Sequence, residues 1–279
     1  MSKTLQDRLH DAKVVLDHVH AALGRHSTRL PREVETSFRA LVDYRTEIDH
    51  WLGMLEARAA SCRLLDALES QADADDCVPL GAARVKYQHV RFIGVQAYVT
   101  TNWALADRIT GMVGRILCTP EAGLNGVNPA QLISHFVTRD KIRKTTAAAL
   151  FESVRQSFGW PIGLSYAIRN HFVHDGAQIG GSDFFEGSSA ASAFQISADG
   201  WDRVEKKVEA EYRVDRLCHR AGASWPSIPK DDLRVVLAVC EREMDDALGV
   251  LLGSACGSLR AHVAFMSGDD WWIPRVVYG

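Results

Sequence analysis

The chain lacks the marks of several protein classes. Its six cysteines are widely separated and form no CxxC pair, which argues against a disulfide framework or a structural zinc site and favours a reducing compartment. No apolar stretch approaches the length that spans a bilayer, and the polar first residues are unlike a signal peptide. We therefore expect a cytoplasmic protein that needs no membrane, no metal and no other cofactor.

An excess of positive charge is also missing. Lysine and arginine number 32 against 35 acidic residues, and the net charge of −3 gives the chain no general attraction for nucleic acid. Contact with RNA would have to come from a local basic patch. The basic turn with Lys141, Arg143 and Lys144 is one candidate, although a solvated face is the commoner explanation of such a turn.

What the chain does have is helical periodicity. Apolar residues recur at three- and four-residue steps along most of its length, which predicts an all-α fold. The predicted helices cover 4–24, 31–68, 82–117, 130–137, 140–158, 161–174, 199–220 and 229–266. Gly24 is expected to end the first of them, and Gly159-Trp160-Pro161 to break the chain before the helix at 161–174.

The acidic segment 73–76 is the best candidate for a domain boundary. We expect an N-terminal helical hairpin region over 1–78 and a helical bundle domain over 79–279. The glycine- and serine-rich segment 176–198 has no helical period and is expected to be a loop or extended chain.

The most informative segment is Arg169-Asn170-His171-Phe172-Val173-His174-Asp175-Gly176. Arginine offers a rigid fork of donors to a phosphate, and histidine exchanges a proton near neutral pH. RNA itself supplies a nucleophile, the 2′-hydroxyl beside each phosphate. This grouping of residues therefore suits cleavage of RNA.

The Arg-x4-His spacing alone is weak evidence for a functional site. With 24 arginines and 11 histidines, an Arg-x4-His pair arises about once by chance, and two further copies occur at Arg45–His50 and Arg84–His89. Those copies lack the asparagine and are expected to lie in the middle of helices. Asn170 is one of only four asparagines, and requiring it lowers the chance expectation to roughly one or two in a hundred.

The expected helix does not by itself bring the two catalytic candidates together. Asn170 and His174 would share a face, whereas Arg169 would be rotated by about 140° from His174. The two could meet one phosphate if the helix frays, or if two copies of the motif face each other across a two-fold homodimer. The helix dipole and Asp175 would both favour a charged His174.

The segment resembles the signature of the HEPN superfamily, Arg-x4-6-His with a polar residue, commonly asparagine, after the arginine. The resemblance covers roughly residues 85–255: the helix before the motif, the motif, a loop, and the segment Phe194-Gln195-Ile196-Ser197 leading into a further helix. It implies a small helical bundle, and many members are metal-independent endoribonucleases of toxin–antitoxin, abortive-infection and other antiviral systems.

Residue by residue, the resemblance implies that Arg169 binds and polarises the scissile phosphate, His174 acts as general base or acid, and Asn170 orients the site or binds phosphate. It also implies a cyclic-phosphate product and an antitoxin or defence-system partner. Some members carry a modified tyrosine two residues after the histidine. Gly176 stands there in this chain, which puts that form of control in doubt.

Other interpretations remain open. His171 and His174 form an HxxH pair, but no third metal ligand follows at helical spacing, and His171 is better explained as a supporting residue. The chain could instead be a non-catalytic helical interaction module that dimerises and binds a protein partner. A third interpretation is a small-molecule or nucleotide sensor with segment 176–198 as its lid.

Overall fold

Five helices and one short hairpin make up most of the computed structural model, which describes residues 3–26, 39–69, 77–117, 148–173, 201–206 and 233–266. In chain order they are α1 (Leu5–His26), α2 (Tyr44–Glu69), β1 (Cys77–Leu80), β2 (Ala83–Lys86), α3 (Tyr87–Leu117), α4 (Ala148–Val173) and α5 (Leu233–Met266). Residues 39–42 and 201–206 are also helical. Since 92% of the described residues are helical, the all-α prediction is confirmed. None of the described helices combines the length and apolar character needed to cross a membrane.

The first helix begins at a reciprocal cap. The amide of Asp7 donates to the Thr4 hydroxyl (3.1 Å), and the amide of Thr4 donates to the Asp7 carboxylate (3.0 Å), so two end amides gain acceptors. The Thr4 hydroxyl and the Thr4 amide both donate to the Asp7 carboxylate, and these two bonds lower the pKa of that carboxyl. The helix continues past Gly24 to His26, so the predicted end was wrong by two residues. A helical conformation at glycine costs only about 1 kcal/mol, which is too little to end a helix by itself.

Ion pairs join α1 to the first turns of α2. Lys13 bonds to Asp49 at 2.6 Å, and Arg45 bonds to Asp17 at 2.7 Å. The partners run in opposite directions along the two helices, which is the antiparallel order of a helical hairpin. The pairs are partly exposed, and such pairs contribute at most about 1 kcal/mol each, so they define the register more than they stabilise it.

A β-hairpin occupies residues 77–86, of which 82–86 were predicted to be helical. Strands β1 and β2 pair antiparallel with Cys77 opposite Lys86 and Leu80 opposite Ala83. Gly81 begins the two-residue turn with φ of 63°, a backbone angle that L side chains rarely adopt. The helix predicted from 82 therefore begins only at Tyr87. Arg84 consequently lies in a strand, and the expectation that its copy of the motif is mid-helical was wrong.

Helix α4 runs without interruption through the expected break. Pro161 lies inside the helix, and the residues on both sides of it are helical from Ala148 to Val173. Proline removes one backbone hydrogen bond and is expected to end or kink a helix. The side chains that follow it, among them Ile162, Leu164 and Ile168, are buried, and this burial outweighs the local cost.

The described residues fall into two compact units. Unit 1 draws on Met1–Gly53, Ala106–Val154 and Asp245–Gly279, and unit 2 on Met54–Leu105 and Arg155–Met244. Arg169, Asn170 and His171 belong to unit 2. The expected boundary between 1–78 and 79–279 concerns independent folding, which this division does not test, so it stays a prediction.

Each unit has its own apolar core. In unit 1 the largest fully buried side chains are Leu9, Leu16, Ile48, Trp51, Phe151, Ile109 and Met112. In unit 2 the buried apolar side chains include Phe92, Tyr98, Trp103, Ile162, Ile168, Phe172 and Leu237. The prediction that the aromatic residues of the third long helix belong to the core is confirmed for Phe92, Tyr98 and Trp103.

The cysteines of the described helices differ in environment. Cys240 and Cys256 are buried, Cys62 is half-buried, and all three are free thiols. Burial raises the pKa of the Cys240 thiol to about 12, an effect that the neighbouring Ser165 hydroxyl partly offsets. Burial also raises the pKa of Cys256. Both therefore behave as small apolar side chains.

The raised pKa of Cys240 predicts a loss of stability in alkali. Between pH 9 and pH 12 the unfolded chain gives up the thiol proton while the folded protein keeps it. The free energy of unfolding should therefore fall by about 1.4 kcal/mol per pH unit from this group. Urea denaturation from pH 8 to pH 11 under reducing conditions should show a shallower decline above pH 9 for Cys240→Ala than for the wild type. Parallel pH profiles would contradict this assignment.

Candidate functional site

The last turns of α4 carry the part of the motif that the structure describes. Arg169, Asn170 and His171 lie there, and the described helix reaches Val173. The other predicted site residues, His174, Asp175, Lys141, Arg143 and Lys144, lie outside the described residues. The structure therefore places three of the eight candidates, and the distance from Arg169 to His174 stays a prediction.

Solvent reaches this part of α4 along one narrow line. From Pro161 to Val173 every residue is buried except Tyr166, Arg169 and Val173, which are half-buried. Steps of three and four residues return to the same side of a helix, so these side chains form one row. We call this row the α4 stripe. Within residues 161–173 these are the side chains that solvent reaches.

Arg169 is held in place by its neighbour in sequence. Its Nη1 donates to the side-chain oxygen of Asn170 at 2.9 Å. Asn170 is only 5% exposed, so its amide is fixed by the core, whereas Arg169 is half-buried on the stripe. A hydrogen bond from a charged donor is stronger than a neutral one, and it fixes the plane of the guanidinium. The pair suits the recognition of an anion such as a phosphate.

His171 is part of the core beneath the stripe. It is 1% exposed, and its ring stands perpendicular to that of Phe172 with centroids 5.9 Å apart. Burial of this kind fits the expected supporting role and removes the ring from direct contact with a large substrate. Among the residues that the structure describes, no three histidine, cysteine or acidic side chains come together to hold a metal ion.

Two aromatic contacts position α4 against α3. Trp103 lies against Tyr166 with ring centroids 4.9 Å apart, and Phe92 lies against Phe172 at 6.1 Å. Phe92 and Trp103 return to within about 20° of each other around α3, so one face of that helix makes both contacts. Tilted ring pairs of this kind contribute about 0.5–1.5 kcal/mol beyond the area that they bury. They fix the half of α4 that carries the stripe.

The adjacent face of α3 contributes to a buried polar cluster that sequence reasoning missed. Arg58 of α2, only 4% exposed, donates through Nη1 to the side-chain oxygen of Asn102 at 2.8 Å. Its Nη2 lies 3.2 Å from the carboxylate of Glu241 on α5, which is 27% exposed. The Tyr98 hydroxyl donates to the other oxygen of that carboxylate. Three helices of unit 2 thus share one charge-bearing network.

The cluster keeps the Tyr98 phenol protonated. Burial, followed by the negative charge of Glu241, raises the pKa of Tyr98 well above its ordinary value, so the phenol stays protonated and donates. The thiol of Cys62 lies 3.9 Å from the same carboxylate. The only sequence signal for this cluster was Asn102, a rare residue type in this chain, in a run of apolar helical positions.

Removal of Arg58 is expected to destabilise the protein strongly. Arg58→Ala leaves the oxygen of Asn102 and the charge of Glu241 without their cationic partner, at a cost of about 2–4 kcal/mol. Tyr98→Phe removes one hydrogen bond to a charged group and should cost about 1–2 kcal/mol. Arg63→Ala is a control at an exposed position of the same helix and should stay within about 0.5 kcal/mol of the wild type. Urea denaturation at pH 7 measures all three, and equal effects of the two arginine substitutions would contradict a role for the cluster.

Comparison with known proteins does not assign the chain to a family. No family model, no curated protein and no solved structure matches it.

Proposed function

We propose that the protein is a metal-independent RNA endonuclease of the HEPN type whose centre lies at the C-terminal end of α4. The observation that carries the proposal is the pairing of Arg169 with Asn170. A buried amide orients the guanidinium of Arg169, a half-buried residue of the α4 stripe. This is the arrangement expected of an arginine that binds the scissile phosphate, with asparagine as its positioning residue.

The proposed chemistry is an internal displacement at phosphorus. The 2′-hydroxyl of the RNA gives its proton to a general base and attacks the adjacent phosphorus, and the bond to the 5′ oxygen breaks as that oxygen gains a proton. The products are a 2′,3′-cyclic phosphate and a 5′-hydroxyl. Arg169 stabilises the charge on the phosphate oxygens, and His174 supplies the base or acid. The step balances without water or metal.

The assembly and biological setting belong to the same proposal. On an ideal helix Arg169 is rotated away from His174, so the two side chains of one copy do not face the same phosphate. A two-fold homodimer would bring a second motif opposite the first, so that Arg169 of one copy and His174 of the other could meet one phosphate. An antitoxin or defence-system partner would restrain or direct the enzyme, and its site of action is the cytoplasm. The net charge of −3 supports dependence on local recognition, because the whole molecule does not attract RNA.

The alternative is a non-catalytic interaction module that dimerises and binds a protein partner. The half-burial of Arg169 and the full burial of His171 favour this alternative to some extent, since a helix-terminal arginine bonded to asparagine also serves packing alone. The enzyme and the module differ in one respect that can be measured, the dependence of RNA cleavage on Arg169 and His174.

Cleavage of a mixed RNA population in the presence of EDTA tests the proposal. Arg169→Ala and His174→Ala should each lower kcat by at least about 100-fold, because charge stabilisation and proton transfer are each worth that much. Asn170→Ala should lower kcat about tenfold or more, through loss of one hydrogen bond to a charged group.

The matched control is the double variant Arg84→Ala, His89→Ala. It removes another Arg-x4-His pair, with its arginine in β2, and should cleave like the wild type. Circular dichroism and size-exclusion chromatography confirm that each variant keeps its fold and oligomeric state. Equal cleavage by all variants would overturn the catalytic assignment, and absence of cleavage in every protein would favour the interaction module.

A further inference from the structure

Tyr166 stands out among the residues around the motif. It precedes Arg169 by three positions, so the two side chains are offset by about 60° around the helix and their Cβ atoms lie about 5–6 Å apart. Both belong to the α4 stripe, while Ser165 and Ala167 on either side of Tyr166 are buried. The stripe therefore presents an aromatic ring and a guanidinium next to each other.

The ring of Tyr166 is braced from within the protein. Trp103, itself 6% exposed, lies against it with centroids 4.9 Å apart and planes tilted by 49°. A braced ring loses little conformational freedom when a ligand stacks on it, so more of the stacking energy is available for binding. Trp103 thus acts as the support, and Tyr166 is the member of the pair that reaches solvent.

We propose that Tyr166 is a stacking platform for an unpaired nucleobase of the RNA substrate, next to the phosphate that Arg169 binds. This inference rests on the proposed function and adds the class of substrate. Aromatic side chains and arginine planes are the groups on which proteins stack unpaired bases. The bases of an A-form duplex are stacked on each other, so the substrate of this site is single-stranded RNA, as in a loop, a bulge or an end.

The weak overall attraction for RNA supports this choice of substrate. A duplex-binding protein that reads shape relies mainly on contacts to phosphate and 2′-hydroxyl groups, for which a chain with net charge −3 is poorly suited. Stacking is largely insensitive to net charge. A site with one guanidinium and one braced ring binds a nucleotide through its base and its phosphate together.

Binding of a short fluorescent single-stranded RNA by the full chain tests the platform. The measurements use the His174→Ala background, which prevents cleavage, and add Tyr166→Leu, Tyr166→Ala or Tyr166→Phe. Loss of the ring should raise Kd about 10- to 100-fold, whereas Tyr166→Phe should stay within about twofold, because stacking needs the ring and not the hydroxyl. A duplex of the same sequence should bind more weakly than the single strand and should not respond to the Tyr166 substitutions.

Phe158→Ala provides a matched control, since Phe158 is a half-buried aromatic residue on the same helix, about 12 Å before Tyr166 along the axis. Its Kd should equal that of the background protein. Tyr166→Leu retains apolar bulk against Trp103, and circular dichroism establishes that it is folded. A folded Tyr166→Leu variant with unchanged Kd would overturn the platform.

The cleavage assay separates this inference from the proposed function. If Arg169 and His174 are required for cleavage but Tyr166→Leu leaves KM and Kd unchanged, the proposed nuclease function is supported and the proposed stacking role of Tyr166 is wrong. If single-stranded RNA binds with the expected dependence on Tyr166 but is not cleaved by the wild type, the stacking role of Tyr166 is supported and the proposed nuclease function is wrong. If the wild type binds no RNA, the platform is also wrong.

Discussion

A buried guanidinium needs acceptors, and Arg58 obtains them from two other helices. Asn102 of α3 and Glu241 of α5 meet it inside unit 2, and Tyr98 completes the coordination of the carboxylate. An unpaired charge in such a place would cost several kcal/mol, so the three helices have little freedom to rotate or slide. The orientation of α3 that satisfies Arg58 is also the one that turns Trp103 towards α4. The position of the α4 stripe thus depends on a charge that lies on another helix.

The two asparagines in the described residues make the same type of hydrogen bond in different surroundings. Asn102 and Asn170 each accept a hydrogen bond from an arginine through a buried side-chain amide. Arg58 is enclosed, so its pairing serves stability and the geometry of packing. Arg169 is half-buried, so the same pairing orients a cation on the side of α4 that solvent reaches. Exposure, and not the type of bond, separates a structural arginine from one suited to binding phosphate.

Much of the fold could be predicted from periodicity, because a helix that buries one face must repeat its apolar residues every three or four positions. The exceptions have identifiable causes. Pro161 did not end α4, since the buried residues after it stabilise the helix beyond the local penalty. The hairpin before α3 was missed because its strands are only four residues long and lack a clear alternation. Of the candidate site, Arg169 and Asn170 were found through a rare pairing of residue types, whereas Tyr166 was not.

Local sequence accounts for the helical character of the chain and for the position of Arg169 and Asn170 together near the end of one helix, since these properties depend on residues close to each other in the chain. Long-range packing establishes which side of α4 meets solvent, that Trp103 braces Tyr166, and that Arg58 shares a cluster with Glu241. The partners in these contacts are separated by dozens of residues or more, and no local pattern encodes such distances. Burial is a property of the assembled helices, and it decides which side chains of a helix remain accessible to solvent.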